Sequence, residues 1–564
     1  SLAALEPLLL SKSLLLSKTL LLSKSLGLIS GDRVLRISGR GSVELMLYVS
    51  IFVELLRSRP SLAVWLAALA QALLWTLVPA VFYAAPPGDL PSVIAVGHEF
   101  QLGTYLGPPL AFWLAALAFD LAGRSVVGVY LLSQVCVVVT YWAVFTLGSA
   151  IVGAQHAALA VLLMVGVAAF TVPTPDFGPV ILTMPLWAII LLHYWRAVGE
   201  GRRAYWLPLA VEIGLLLLTT YVGLILIGLL LLFTLANKRA RASLNSYDPL
   251  VAALVAGVIT GPHLIWLADS GSGEGILPVL ARLRTPEAVT GNLVAWLRQL
   301  GLIFAAHAGL VVLVALVAGW PWPRRDPAPV IVRRPITPFA QQFVYFFAIV
   351  PAFAGTLVAV LIGWSGPVGG IAPLVILSGL LVVVAAGDGI KFSRQHVVIA
   401  AWFGLLVIPP IMAAAALMVL PWLNLDLRVT LPAEAMARFF SESFERRTGT
   451  PLQIVTGDPR TAAIVALGAP SRPSLYLSAT PERSPWVTPE AVKTKGAIVV
   501  WPTIDTAGTP PPEIKERFPE LVPEVPRAFE RSVQGRLPLI RIGWGLIRPQ
   551  GQPLPPPASG AQKQ

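Results

Sequence analysis

Between residues 60 and 422 the chain carries only twelve carboxylates: Asp89, Glu99, Asp120, Asp176, Glu200, Glu212, Asp248, Asp269, Glu274, Glu287, Asp326 and Asp388. In so apolar a segment each acid needs a reason to be there: a cap, an ion pair or a proton to move. Glu200, Asp248, Asp326 and Asp388 stand in or beside basic clusters, where solvated charge explains them. Asp89 and Asp176 head the remainder, in the stretches APPGDLPSVIAVGHEFQLGTYLGPPLAFWL and VPTPDFGP. A carboxylate in such a loop can act as a general base toward a hydroxyl, and it can equally cap a helix or carry solvated charge. His98 and Glu99 can assist Asp89 or hold a divalent cation, the sole cofactor suggested; one adjacent pair falls short of a metal set. Arg282 and Arg284 in LARLRTPEA can bind phosphate through paired charge-assisted hydrogen bonds or contact lipid headgroups. Glu212, in the middle of an apolar run, must face a polar partner and reads as helix-to-helix glue; His263 reads as a structural hydrogen bond.

The elements that must position these groups are membrane helices. The 564 residues are 56% hydrophobic and 12% charged, with mean hydropathy +0.75, against about 25% charge in soluble domains. Soluble enzymes, disordered chains and nucleic-acid-binding domains are thereby excluded as the main reading. Eleven stretches are candidates to span a bilayer, near 61–84, 125–148, 152–171, 178–197, 205–219, 220–236, 248–268, 297–320, 341–364, 371–387 and 396–422. Residues 110–122 are too short and read as an interfacial helix. Trp113, Tyr141, Trp142 and Trp266 fall near span ends, where an aromatic belt is expected. Residues 1–43, with LLLSK repeated through 8–25, read as a low-complexity segment; a single cysteine, Cys136, excludes an internal disulfide framework.

The formal charge of +12 reports orientation. With the N-terminus inside, inner loops hold twelve Lys/Arg and outer loops three, namely Arg124, Arg282 and Arg284. The odd span count then puts the C-terminal segment outside. That segment, 423–564, has 17 Lys/Arg and 13 Asp/Glu and no stretch able to cross. Strand-like runs at 452–455, 474–477 and 497–501 alternate with helix-like 433–447 and 489–495, predicting a small α/β domain with a partly parallel sheet. The expected organisation is therefore low complexity over 1–43, a membrane domain over 44–422, an extracytoplasmic α/β domain over 423–550 and a disordered tail over 551–564. No phosphate-loop or dinucleotide fingerprint lies between a strand and a helix, which argues against ATP-driven transport and nucleotide-sugar chemistry.

The acid early in the first outer loop, the segment G-x-x-x-x-PPL-x-x-WL at 103–114, TPD at 174–176, LTTYVGL at 218–224 and GPHLIW at 261–266 occur in an order that resembles GT-C fold membrane glycosyltransferases. These include protein O-mannosyltransferases, lipid A aminoarabinose transferases and lipid A galacturonosyltransferases. The resemblance covers roughly 60–320. It implies an all-α polytopic bundle of about 11 helices with a small outer α/β domain in the cytoplasmic (inner) membrane. It also implies transfer of a sugar from a polyprenyl-phosphate carrier to a lipid A, glycan or protein hydroxyl. By position, Asp89 matches the acid proposed as base and Asp176 the acid that shapes the site. Tyr221 follows Thr220, which stands where a lysine is frequent; Leu90 stands where a second acid is common; and 363–370 lacks the basic residue expected there. A transporter or flippase, and an inactive relative of these transferases, are the alternative readings.

Overall fold

The computed structural model of the chain describes residues 52–269, 286–319, 330–333, 335–391, 395–480, 483–533 and 535–550. The repeats of 1–43, the tail 551–564 and both Arg282 and Arg284 lie outside them. In chain order the described helices begin with α1 (Pro60–Phe82), α2 (Leu90–Gly97), α3 (Leu110–Leu121), α4 (Val126–Val152) and α5 (Ala154–Met164). They continue with α6 (Pro179–Tyr194), α7 (Trp206–Leu217), α8 (Gly223–Ala236), α9 (Asp248–Asp269), α10 (Pro286–Ala306) and α11 (Ala308–Val317). A short hairpin of β1 (Val330–Val332) and β2 (Gly389–Lys391) flanks α12 (Pro338–Leu361) and α13 (Ser378–Ala385), and α14 (Gln395–Val419) closes the bundle.

Six of the eleven expected stretches form helices long and apolar enough to cross a membrane, and two more qualify as bent pairs, α8 with 238–245 at 99° and α10 with α11 at 52°. The protein is thus a multi-span membrane protein with six to eight such helices among the described residues. The other three stretches are shorter than the ~20 residues a crossing takes: α5 has 11, α7 has 12 and α13 has 8. Glycine explains one of these breaks. Gly153 at φ +85° separates α4 from α5, and Gly166 just beyond α5 lets the Leu310 backbone N–H reach its carbonyl at 2.9 Å.

Buried polar groups register the helices against one another, because in an apolar bundle an unpaired one is costly. Tyr141 is fully buried and donates to Gln71 Oε1 at 3.0 Å, so it is a core residue and not part of a surface belt. Glu212 on α7 meets His193 Nδ1 on α6 at 2.6 Å, the inter-helix role expected of it. Arg196 donates to Tyr205, whose ring packs at a tilt against His193. His193→Ala is expected to lower stability by about 3 kcal/mol by stranding Glu212. The double variant with leucine at both positions should recover most of that, read as melting temperatures of the purified protein.

The C-terminal segment builds α15 (Ala433–Thr448), β3 (Ile454–Gly457), α16 (Pro459–Gly468), β4 (Ser474–Leu477), α17 (Pro489–Lys495) and β5 (Ala497–Pro502), then β6 (Pro523–Phe529) and β7 (Ile540–Ile547). The sheet order is β4-β3-β5-β7-β6, with β3 parallel to both β4 and β5 and the last two strands antiparallel. Its parallel part is buried and mostly apolar, with Thr456 of β3 as a buried polar exception that donates to the Tyr476 carbonyl at 2.8 Å. From Leu55 onward, bundle and sheet pack as one unit.

Candidate active site

Asp89 stands at the entrance to α2, immediately before the Leu90-Pro91 pair that opens the helix. Its carboxylate caps nothing and is 75% exposed, so an incoming group can reach it. The capping that Asp89 does not perform is done by Asp176. The backbone N–H groups of Asp89 and Leu90 face the Asp176 carboxylate and stabilise its charge, the Leu90 N–H also donating to the Pro87 carbonyl at 3.2 Å. An acid at a helix N-terminus is favoured by the exposed amides and the helix dipole. Gly88 makes this approach feasible: it lies at φ +53°, and a Cβ there would stand 1.8 Å from Asp176 Oδ2. Gly88→Ala is expected to cost several kcal/mol through both clash and left-handed strain. It should also drive Asp176 off the Asp89 amide, measured as loss of melting temperature and of activity together.

The loop holding Asp176 is anchored from beneath. Gln134 on α4 donates to Thr174 Oγ1 at 3.0 Å, Thr174 Oγ1 donates to the Thr171 carbonyl at 2.6 Å, and Ser133 donates to the Thr174 carbonyl. Gln71 Nε2 on α1 fixes the Phe170 carbonyl at 2.6 Å. Asp176 itself is partly buried, and its pKa is pushed up to about 7, first by withdrawal from water and then by the neighbouring Asp89 charge; the two amide hydrogen bonds oppose the rise. Near neutral pH this carboxyl exists in both forms.

Asp89 and Asp176 line one cavity of about 510 Å³. Its other walls are almost wholly apolar: Val93 from α2, Val172, Phe177 and Ile181 around the Asp176 loop, Ala306 at the α10–α11 bend, and Ile371. Two carboxylates thus face an apolar chamber, a setting suited to a long hydrocarbon chain beside a polar reaction centre. Tyr221 lies in the turn between α7 and α8 and is not among the residues lining the cavity; its neighbour Val222 packs on Gly369, beside the lining residue Gly370. The Tyr221 hydroxyl bonds His263 Nε2 at 3.0 Å, while His263 Nδ1 donates to the Leu102 carbonyl at 2.8 Å. His263 is therefore the buried structural residue the sequence suggested, and it aims Tyr221.

His98 and Glu99 are elsewhere. His98 lies 3.5 Å from Asp120 and Glu99 lies beside Ser474 at the start of β4, so both face the C-terminal unit and neither lines the cavity with Asp89. Burial lowers the His98 pKa and raises that of Glu99. Among the described residues no three His, Cys, Asp or Glu side chains converge as a metal set.

The same surface joins the bundle to the sheet. Arg472 donates to Asp120 at 2.8 Å, Arg124 donates to the Ala469 and Pro470 carbonyls at 3.3 Å, and the guanidinium of Arg483 covers the Tyr105 ring. The Ala84 and Ala85 N–H groups both reach the Val429 carbonyl. Helix α16 packs along α2 and carries Arg460, whose Nε is 3.8 Å from Asp89 Oδ1. Nothing in the sequence ties Arg460 to Asp89, although Asp458-Pro459 is a legible helix start, with Asp458 accepting from the Thr461 N–H at 2.9 Å.

Comparison with known proteins bears on this architecture. Residues 107–266 match a family model described as dolichyl-phosphate-mannose-protein mannosyltransferase. Crystal structures of ArnT from Cupriavidus metallidurans, one bound to undecaprenyl phosphate and one in the apo state, each superpose with a TM-score of 0.51 at 14% identity, over 89% of this chain and 98% of theirs. The fold is the GT-C fold. An archaeal oligosaccharyltransferase, AglB from Archaeoglobus fulgidus in complex with an inhibitory peptide and a dolichol-phosphate, aligns with a TM-score of 0.40 at 14% identity, over 74% of this chain and 64% of that one. No curated protein sequence matches the chain. The family match runs from Gly107 to Trp266, so it covers α3 through most of α9 with the Asp176 loop and Tyr221, and leaves α2 and Asp89 outside it.

Proposed function

We propose that the protein is a glycosyltransferase that moves a sugar from a polyprenyl-phosphate carrier to a hydroxyl of lipid A, another envelope glycan or a protein. The observation that carries this reading is the pairing of Asp89 with Asp176 on one largely apolar cavity in a GT-C fold. ArnT, with that fold, has been seen with undecaprenyl phosphate bound.

Asp89 is the base: its exposed carboxylate takes the proton of the acceptor hydroxyl, whose oxygen attacks the anomeric carbon. The bond from that carbon to the phosphate oxygen breaks, the electron pair leaves with the lipid phosphate, and the anomeric configuration inverts. Asp176 is a positioning residue, holding the amides at the entrance of α2 so that Asp89 faces the chamber. The apolar walls receive the first isoprene units, and Tyr221, held by His263, is a further candidate for the donor phosphate. Arg282 and Arg284 are additional candidates for the donor phosphate. His98 and Glu99 fit a share in holding the outer unit better than contact with the donor.

The topology follows the charge asymmetry: eleven crossings, with α5, α7 and α13 completed by adjoining turns, the N-terminus inside and the sheet outside. The sheet is then on the same face as Asp89. The experiment is a comparison of envelope glycolipids and glycans extracted from cells with and without the protein. The reading predicts one glycan lacking a single sugar, with the lipid-linked donor accumulating; identical profiles with no donor accumulation overturn it.

A further inference from the structure

The charges around the cavity do not balance for an anionic ligand. Asp89 and Asp176 both line it, and among the described residues no Lys or Arg lines it. A sugar phosphodiester brings a negative charge to this mouth, and its departure as a monoester adds more. An unassisted approach of phosphate to two carboxylates is repulsive, and stronger so beside apolar walls than in water. A cation close to the acids is required, and the structure supplies one from an unexpected part of the chain.

That cation is Arg460. It is the second residue of α16, and its position is determined by the sheet and not by a loose loop. Gly457 ends β3 at φ +114°, pressed so closely on the Val500 carbonyl that a Cβ would stand 2.1 Å from it. Asp458 caps the helix, with its Oδ2 accepting from the Thr461 hydroxyl at 2.7 Å, and Pro459 sets the first turn. Helix α16 then lies along α2, whose first turn follows Asp89. The guanidinium reaches Asp89 at 3.8 Å while remaining 55% exposed, so several of its donors are open to solvent. Arg472, Arg124 and Arg483 on the same surface are engaged with Asp120, with backbone carbonyls and with the Tyr105 ring.

We propose that Arg460 is a donor-phosphate ligand supplied by the C-terminal unit, exchanging the Asp89 carboxylate for the phosphate when the lipid-linked sugar enters. The inference rests on the transferase reading. The exchange has two consequences: the base is released as the donor arrives, and the electron pair leaving the anomeric carbon falls on an oxygen facing a guanidinium. The weak, long contact with Asp89 suits a partner that must be surrendered, whereas a bidentate pair would hold it. The sheet unit thereby becomes part of the active site as well as its cover.

The test uses the full-length protein in detergent with two probes, undecaprenyl phosphate and the uncharged undecaprenol. Wild type is expected to prefer the phosphate by roughly 10- to 100-fold, the range of a charge-assisted contact. Arg460→Ala should abolish most of that preference with undecaprenol binding unchanged, and Arg460→Lys should retain part of it. Arg472→Ala, which loosens the sheet at Asp120, serves as the control for docking and should keep the preference. A phosphate preference undiminished in Arg460→Ala overturns the inference and leaves the transferase reading standing. Equal loss in Arg460→Ala and Arg472→Ala also overturns it, by assigning the effect to docking. No preference in wild type overturns the transferase reading itself.

Discussion

Asp89→Asn is expected to lower sugar transfer by roughly 10²- to 10⁴-fold, the span that general-base catalysis contributes, while donor binding is retained or strengthened because the neutral side chain neither repels the phosphate nor holds Arg460. The substitution preserves size and removes only the capacity to take a proton. Because the Asp89 side chain makes no capping bond and is well exposed, the fold has little stake in it. Melting temperature should therefore stay close to wild type, which separates loss of chemistry from loss of structure. The backbone N–H that Asp176 accepts is unaffected, so the entrance of α2 should keep its geometry. Initial rates at saturating donor, alongside binding of undecaprenyl phosphate, distinguish the two effects. Transfer at the wild-type rate would remove Asp89 from the role of base.

The second large effect concerns Asp176. Asp176→Ala removes the acceptor for two amides at the start of α2 and should lower the transfer rate by about 10²-fold through misplacement of Asp89. Asp176→Asn keeps an oxygen for those amides and should restore activity to within about tenfold of wild type. Equal loss in both variants would instead make the carboxylate itself part of the reaction.

Stability offers an independent reading. The folded pKa of about 7 lies above the ordinary value of 3.8, so between these values the native state holds a proton that the unfolded chain has released. Native stability then falls as pH rises through about 4 to 7, by up to about 4 kcal/mol, and levels off above 7. Asp176→Asn should remove that slope, which melting temperatures across pH 4–8 would reveal. An unchanged slope would place the titration elsewhere.

The parts of this account that sequence made legible are those written in local pattern. Apolar length marked every stretch that became a membrane helix, and scarcity of acids isolated Asp89 and Asp176, which the fold brings to one cavity. The runs SLYL and AIVVW became β4 and β5, and LQIV overlaps β3. By contrast, β6 and β7 escaped notice because PEVPRAF carries two prolines and alternates exposed with half-buried positions, and IRIGWGLI has two glycines. The short lengths of α5, α7 and α13 are not legible in sequence because hydropathy does not register a break such as Gly153 or a close backbone contact such as Gly166 with Leu310. Tyr141 looked like a belt residue because its partner, Gln71, is seventy positions away.

Long-range pairing hid the site's electrostatics for the same reason. His98–Glu99 looked like an assistant to Asp89, yet Asp120, Arg472 and Ser474 claim it for the surface between bundle and sheet. Arg460 is 371 residues from Asp89, and only the packing of α16 on α2 connects them. Gly88 gave no signal beyond a turn-forming Pro-Pro-Gly, although its missing Cβ is the condition for Asp176 to reach the amides.

The most direct measurement is release of undecaprenyl phosphate by the purified protein in liposomes, supplied with undecaprenyl-phosphate sugars and an envelope glycan extract. The account predicts acceptor-dependent release from at least one donor, matched mole for mole by sugar gained on the acceptor and abolished by Asp89→Asn. No release from any donor, or release that Asp89→Asn leaves unchanged, would contradict it.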